Sequence, residues 1–440
     1  MQSAFLWGYA STQLLGGRLA DSLGPRRVVA AGVVFFTLAS FALPLCLPAA
    51  AAAAASAAAG TAAPASSFPY ASAAARLAAG AATWPLAGAL ACRFFVGTGE
   101  GVCLPAVSAL VATRAPRARR SSALGLAFSG FHAGNLLGLL ATPALAAALV
   151  SRMNLMSGWR WVSFAWALSA IPALLLWLRL VPEERGGRGE RRGGGEKESN
   201  GAATPGRSDA APCVAALLSC PPVRAIVAAN IVNHWGYFTL LHWMPLFFRE
   251  GLGVSLQGSA ALSCLPWAAM AAGSAASGAL ADALLEPVAR GGRFGWSRTR
   301  VRRTLQGVAF AGPALLVSAV ALVAARVGPG TSASASASLP AVWWASPGAA
   351  TALLVTCLAL QSLGQAGFVA NMGDVAPRDA GALFGLANTF GSASGGLSAV
   401  AAGRLLELGL GFWPVFAAAA MVYASGCVLY LGFASGERHF

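Results

Sequence analysis

Arg93 and Glu100 are two charged residues inside an apolar run that extends from Trp84 to Ala112. In a helix, seven residues span almost two turns, so both side chains point to one face, about 10 Å apart along the axis. A charge at membrane depth is costly unless it is paired or faces a cavity. The planar guanidinium of an arginine can bind phosphate or carboxylate through two hydrogen bonds. The carboxyl group of a glutamate can carry a proton. The pair is therefore either a site that binds an anion and carries a proton, or a structural ion pair.

Further polar residues lie within apolar segments, where a buried polar group needs a partner. His132 and Asn135 share one predicted helix, and His234 and His242 share another. Histidine titrates near neutral pH, so each could carry a proton, sense pH, or be a neutral hydrogen-bonded side chain. Six others could bond a neighbouring helix or line a cavity: Tyr9, Gln13, Gln361, Gln365, Asn371 and Asn388.

Glycines surround Glu100 at positions 97, 99 and 101. A phosphate-binding loop would need a strand before it and a helix start after it, and the sequence shows neither. We therefore expect close helix packing at these glycines. We expect the same of the glycines at four-residue spacing: Gly130, Gly134 and Gly138; Gly381 and Gly385; Gly391 and Gly395.

The eight cysteines are scattered singly, without a CxxC pair. Their spacing indicates no zinc site, redox motif or disulfide framework. We therefore expect the cysteines to pack as small apolar residues within helices. The sequence also lacks a His/Asp metal cluster, a nucleophile elbow and paired carboxylates. We therefore expect neither enzyme activity, nor a metal, nor another cofactor.

Composition indicates a membrane protein. The 440 residues are 57% hydrophobic and 10% charged, whereas soluble domains carry about 25% charged residues. With about 20 residues per span, the length accommodates ten to twelve transmembrane helices. A soluble enzyme is excluded.

The net charge of +15 is concentrated in short loops between apolar runs. Arginines cluster at Arg26 and Arg27, in the range 114–120 and in the range 298–303. This is the pattern of cytoplasmic loops in membrane proteins, so we expect no nucleic-acid partner.

Eleven helical spans are predicted, separated by two low-complexity segments. Residues 48–80 are rich in Ala, Ser and Pro and predict a disordered non-cytoplasmic loop. Residues 182–212 are rich in Gly, Arg and Glu and predict a solvated linker. The spans are 3–19, 28–47, 83–113, 122–150, 159–181, 222–248, 257–284, 303–325, 347–372, 380–407 and 411–433.

The two halves of the chain repeat each other. The run from Gly17 to Asp21 recurs from Gly278 to Asp282, and Ala115-Pro116-Arg117 recurs as Ala376-Pro377-Arg378, both at an offset of 261. Such parallel repeats of six-helix halves build one large transporter class. Five predicted spans precede the linker and six follow it. We therefore expect that a first helix is missing, or that the protein naturally has eleven helices.

The segment from Gly17 to Arg27, which reads GRLADSLGPRR, resembles the signature loop of the major facilitator superfamily. Further motifs resemble its anion symporters, which include sodium/phosphate cotransporters, sialin and vesicular glutamate transporters, and above all the plant plastid anion transporters. These motifs are Phe5-Leu6-Trp7-Gly8-Tyr9, Arg93 with Glu100-Gly101 and Pro105, Trp235-Gly236, Trp243-Met244-Pro245, Leu265-Pro266-Trp267 and Asp374-Val375-Ala376-Pro377-Arg378.

The resemblance implies roles for individual residues. It assigns substrate binding to Arg93, Tyr9, His132 and Asn388, and cation coupling to Glu100 and His234. The plant branch usually has His-Asn-Trp-Gly where this chain has Asn-His-Trp-Gly at 233–236, and this order turns the imidazole by roughly 100° around the helix. Gating falls on the signature loop and its repeat, with Asp282 facing Arg302 and Arg303; the gating residues are Gly17, Asp21, Gly24, Arg26, Arg27 and Asp282.

Together these features predict an all-α, multi-pass membrane protein with two helical bundles. The predicted N-terminal bundle comprises residues 1–181, the cytoplasmic linker 182–221 and the C-terminal bundle 222–440. The expected function is secondary active transport of an anion, inorganic phosphate first, coupled to H⁺ or Na⁺ by alternating access. Glutamate, ascorbate or a similar organic anion is the alternative cargo, and a non-transporting membrane sensor is the alternative class. We expect a monomer in the bilayer of a plastid envelope or thylakoid.

Overall fold

The computed structural model describes residues 2–46, 83–150, 155–183, 214–290, 292–327 and 346–440. These residues form helices and contain no strand, so the expected all-α fold is confirmed. The predicted loop 48–80 and most of the predicted linker lie outside the described residues. Within the linker range, a short helix at 214–219 is described.

Six helices are described before the linker. A turn at Gly24 joins the first two, and its φ of 95° is a backbone conformation that favours glycine. The helices are α1 (Gln2–Leu23), α2 (Pro25–Cys46), α3 (Thr83–Gly101), α4 (Cys103–Arg114), α5 (Arg120–Val150) and α6 (Leu155–Leu180).

Eight helices are described in the rest of the chain. Ser255 and Ser346 cap two of them, because each hydroxyl oxygen accepts a hydrogen bond from a backbone N–H in the first turn. The helices are α7 (Val214–Ser219), α8 (Pro221–Leu246), α9 (Leu256–Leu285), α10 (Arg298–Val327), α11 (Pro347–Gln361), α12 (Phe368–Val375), α13 (Ala380–Glu407) and α14 (Trp413–Phe433).

Two predicted spans are interrupted. The predicted span 83–113 breaks between α3 and α4, near Pro105, which has no N–H to donate to Gly101 one turn earlier. The predicted span 347–372 breaks at a 3₁₀ turn, Ser362–Gln365. There the backbone N–H of Phe368 donates instead to Oε1 of Gln306 at 3.0 Å.

Eight of the eleven predicted spans are long and apolar enough to cross a membrane. The other three correspond to α1, α8 and α13, and α13 packs against both α1 and α8. Their interior polar side chains, such as Gln13, Asn230 and Asn388, are buried. These helices can therefore be less apolar, because their polar faces contact protein rather than lipid.

The two halves meet along two helix pairs, α1 with α13 and α5 with α9. Glycines bring each pair together: a side-chain atom added at Gly385 would overlap the backbone of Gln13, and one at Gly278 would overlap that of Ser121. This confirms the packing predicted for Gly381 and Gly385. The other five glycines predicted near Glu100 and on α13 also lie at helix contacts: Gly97 and Gly101 against α1, Gly99 against α2, and Gly391 and Gly395 against α8.

The glycine ladder on α5 does not follow that prediction. A Cβ added at Gly130, Gly134 or Gly138 would meet nothing within 4 Å. In the part of the chain that the structure describes, this face of α5 is open, because α9 contacts α5 nearer its N-terminus, at Gly125.

Candidate functional site

A cavity of about 180 Å³ lies between the two halves. Helices α1, α5, α8 and α13 carry most of its wall, and six phenylalanines make it largely apolar. Ten polar residues interrupt this apolar wall: Tyr9, Glu100, His132, Asn135, Asn230, Asn233, His234, Tyr237, Gln365 and Asn388.

Five of the six residues predicted for substrate binding or cation coupling line this cavity. They are Tyr9, Glu100, His132, His234 and Asn388. Tertiary packing thus brings together side chains that are as far apart as 379 positions in the chain.

Arg93 is the exception. Its side chain is exposed and does not line the cavity, because it lies almost two helical turns from Glu100 on α3. Within the described residues the two side chains form no ion pair, so the alternative of a structural ion pair is not supported. Arg93 therefore does not contact this cavity, and its role in substrate binding stays a prediction.

Two Tyr–Asn hydrogen bonds connect the halves at the cavity wall. Asn388 Nδ2 donates to the hydroxyl of Tyr9 at 3.4 Å, and Asn135 Nδ2 donates to that of Tyr237 at 2.7 Å. Each tyrosine therefore bonds an asparagine of the opposite half. Sequence reasoning missed Tyr237, although the run Trp235-Gly236-Tyr237 repeats Trp7-Gly8-Tyr9.

Several polar atoms in the cavity wall are buried without a partner among the residues that the structure describes. Both ring nitrogens of His132 are unpaired, and the residue is 2% exposed. Oδ1 of Asn230 and Oε1 of Gln365 are also unpaired. Buried polar groups normally have hydrogen-bond partners, so these atoms are available to a ligand or to water. His234 differs, because its Nδ1 lies 3.1 Å from the carbonyl oxygen of Asn230.

At the arginine-rich end, each half caps a helix of the other. Oδ2 of Asp21 accepts the backbone N–H of Ala382 at 2.9 Å, in the first turn of α13. The carboxylate of Asp282 accepts those of Ser121 at 3.2 Å and Ser122 at 2.8 Å, in the first turn of α5. Free N–H groups and the helix dipole both favour a carboxylate at these positions.

These contacts correct the expectation that Asp282 faces Arg302 and Arg303. Arg302 is buried and pairs with Asp374 at 2.7 Å, and it also donates to Oγ of Ser121 at 3.2 Å. Arg303 donates to the carbonyl of Ala434. Asp282 bonds backbone instead, because α9 brings it directly to the start of α5.

Arg26 and Arg27 do not connect the halves either. Arg26 donates to the carbonyl of Leu178 at 2.8 Å, and Arg27 pairs with Glu183 at 3.0 Å. The hydrogen bond from Arg27 and its positive charge lower the pKa of Glu183. Both arginines thus hold the signature loop against the end of α6, within one half.

A family model described as Major Facilitator Superfamily matches residues 1–326. The chain belongs to this superfamily. Its members are transporters rather than enzymes, which confirms that expectation. The three paired features of the interface, namely packed glycines, Tyr–Asn bonds and carboxylate caps, therefore lie between the halves of a major facilitator.

Plant relatives match the whole chain. It is 32% identical to "Probable anion transporter 3, chloroplastic" of Arabidopsis thaliana, over all of this chain and 73% of the relative. It is 29% identical to "Sodium-dependent phosphate transport protein 1, chloroplastic" of the same plant, over all of this chain and 72% of the relative. It is also 29% identical to the Arabidopsis "Ascorbate transporter, chloroplastic", over all of this chain and 68% of the relative.

A solved structure supports the fold. The crystal structure of the major facilitator FucP in the outward conformation matches with a TM-score of 0.61, covering 99% of this chain and 89% of that chain. At 12% sequence identity, this similarity concerns the fold alone. The protein is therefore a multi-pass major facilitator related to chloroplastic anion transporters.

Proposed function

We propose that this protein is a secondary active transporter of small anions, with inorganic phosphate as its first cargo and H⁺ or Na⁺ as the coupled cation. One observation carries the proposal: the cavity between the halves holds a carboxyl, Glu100, in a largely apolar wall. Among the described residues, Glu100 has no hydrogen-bonded or ion-paired partner.

Glu100 would couple the two gradients. A carboxylate in apolar surroundings is costly, and binding a proton or Na⁺ removes that cost. The halves would then reorient readily only when the cation is bound. This gives Glu100 a role that does not require an ion pair with Arg93.

The anion would bind to donors in the cavity wall. His132 has two unpaired ring nitrogens, and Tyr9, Asn388 and His234 lie in the same wall. The volume of about 180 Å³ is below the roughly 300–1,000 Å³ of pockets for drug-sized ligands, which favours a small anion. Arg93 would act outside this cavity by attracting anions towards it, as a positive charge near an entrance raises local anion concentration.

Alternating access requires the contacts between the halves to break and re-form. The carboxylate caps of Asp21 and Asp282 hold the halves together at the arginine-rich end. We assign them to the cytoplasmic gate. The chloroplastic names of the relatives support a plastid membrane as the site of the proposed activity.

The test is uptake of radiolabelled phosphate by liposomes that contain the purified full chain. Accumulation should require an imposed proton or Na⁺ gradient, and unlabelled phosphate should compete more strongly than ascorbate or glutamate. Stronger competition by ascorbate or glutamate would show that the protein is an anion transporter whose substrate is that organic anion rather than phosphate. Folded protein that transports none of the three anions under either gradient would refute the proposal and favour the non-transporting alternative.

Arg93→Ala tests the role of the exposed arginine. We expect the KM for phosphate to rise at low salt, and the difference from the unaltered chain to shrink as added salt screens the charge, while the protein remains folded, as judged by monodisperse elution in detergent. Arg404→Ala is the matched control, because Arg404 is also exposed and pairs with Glu407 far from the cavity. Uptake by Arg93→Ala equal to that of the control would remove Arg93 from the mechanism.

A further inference from the structure

Two cysteines meet at the end of the molecule away from the arginine loops. Cys46 is the last residue of α2, and Cys92 lies in the middle of α3. Their sulfur atoms are 3.5 Å apart. Among the seven cysteines that the structure describes, no other pair of sulfur atoms is in contact.

The contact is held by packing. A Cβ added at Gly88 would lie 3.2 Å from Cβ and 3.3 Å from Sγ of Cys46, so this glycine leaves the space that Cys46 occupies. Gly88 is one helical turn before Cys92 and lies on the same face of α3. Leu43 and Ala89 enclose the pair. The thiols are thus positioned by helix packing.

We propose that Cys46 and Cys92 form a reversible disulfide that fastens α2 to α3. A disulfide has an S–S bond of about 2.05 Å, so the sulfurs must approach by roughly 1.5 Å, which small side-chain rotations provide. Cys46 is half-buried and Cys92 is buried, so Cys46 is the thiol that meets the oxidant first.

The reaction is thiol–disulfide exchange with an external disulfide of a small thiol or of an oxidoreductase. The Cys46 thiolate attacks one sulfur of that disulfide, and a thiolate leaves. Cys92 then attacks the sulfur of Cys46, and a second external thiolate leaves. The external disulfide gains two electrons, and the two protons of the cysteines end on the two released thiols.

The location agrees with this chemistry. Cys46 lies 22 residues along α2 from the start at Pro25, about 30 Å at 1.5 Å per residue, which is the thickness of a bilayer core. It therefore lies near the membrane face opposite the arginine loops, where an oxidoreductase or a small disulfide on that side can reach it. The bond would join two helices of one half and leave the interface between the halves free to move.

The test is thiol mapping of the purified full chain. Reduced protein is incubated with glutathione disulfide, denatured, alkylated and digested for mass spectrometry. We expect two fewer alkylated cysteines than in the reduced control, and a cross-linked peptide pair containing Cys46 and Cys92 that dithiothreitol separates. Complete alkylation, a glutathione adduct on Cys46 without a cross-link, or a link through another cysteine would each overturn the proposal.

Variants check the geometry. Cys92→Ser should abolish the loss of two thiols, and Cys103→Ser should not, because Sγ of Cys103 contacts the carbonyl of Gly99 rather than a sulfur. Gly88→Val should slow cross-linking at least tenfold by displacing Cys46. Unchanged cross-linking in Gly88→Val would contradict the role of Gly88 in positioning Cys46. If a variant does not fold, the disulfide mapping of the unaltered chain still tests the proposal.

Discussion

At the residue scale, the cavity combines one carboxyl with an unpaired imidazole. His132 differs from most buried polar residues because neither ring nitrogen has a hydrogen-bond partner in the described protein. Glu100 is half-buried in the same wall and also makes no hydrogen bond to a described residue. Structural residues gain stability from being paired. Groups that bind a transported ion must instead exchange partners, so an unpaired state between binding events is what their role requires.

Glu100→Gln should abolish gradient-driven phosphate accumulation and spare exchange of labelled for unlabelled phosphate. Glutamine has the size of glutamate but carries no charge that a proton or Na⁺ could neutralise. Uptake with and without a gradient, and exchange in preloaded liposomes, separate the two activities. Glu250→Gln is the control, because Glu250 pairs with its exposed neighbour Arg249. Accumulation that persists in Glu100→Gln would exclude this carboxyl from coupling.

His132→Leu should raise KM for phosphate by about tenfold or more without lowering the thermal midpoint. A hydrogen bond to a charged group contributes about 1.5–3 kcal/mol, so losing the bond to phosphate weakens binding. The stability of the fold should not change, because the His132 ring makes no hydrogen bond to the described protein. His242→Leu is the control, because its Nδ1 is also buried and unpaired but the residue lies outside the cavity wall. An equal change in KM for both variants would contradict the assignment.

At the element scale, glycines decide which helix faces meet. The interface between α1 and α13 depends on Gly17 and Gly385, where the two backbones touch. The ladder on α5 has the same four-residue spacing but contacts nothing in the described structure. Spacing therefore identifies a face that can pack, and the positions of neighbouring helices determine whether it does.

Gly385→Ala should destabilise the protein by about 1–3 kcal/mol, as overpacking does, because the added methyl overlaps the backbone of Gln13. Gly130→Ala is the matched control, and should be neutral or stabilising by up to about 1 kcal/mol, since a helix interior favours alanine. Thermal unfolding in one detergent compares them. Equal thermal midpoints would show that the contact between α1 and α13 is not as tight as described.

At the scale of the whole molecule, the two halves close on each other with approximate two-fold symmetry. The repeat offset of 261 relates Asp21 to Asp282 and also Ser121 to Ala382. Each half therefore supplies a carboxylate to the first turn of a helix in the other half. Each half also supplies one tyrosine that bonds an asparagine of the other half. Such paired contacts can break together when the halves rock.

The double variant Asp21→Asn, Asp282→Asn should shift the protein towards a conformation that is open at the arginine-rich end. The amides lose the charge that strengthens these hydrogen bonds. Spin labels on the two halves at this end should show a longer distance than in the unaltered chain. Glu183→Gln is the control, because Glu183 bonds Arg27 within one half. Unchanged distances in the double variant would remove these carboxylates from the gate.

The sequence by itself determined the helices, their membrane location and the family. Long apolar runs cannot leave backbone groups unpaired in lipid, so helical structure follows from composition. The repeat also identified Asp21 and Asp282, which both contact the opposite half, and five of the six residues predicted for substrate binding or coupling lie in the cavity wall. These successes share one cause: each depends on residue type and on spacing along a single helix or repeat.

Tertiary structure decided which groups meet. It separated Arg93 from the cavity, brought Asp282 to the start of α5 rather than to Arg302, and placed Tyr237 beside Asn135. It also brought Cys46 to Cys92, although their spacing of 46 residues matches no sequence pattern. Such contacts depend on the rotation and depth of helices packed against each other, and periodicity along one chain segment does not encode either quantity.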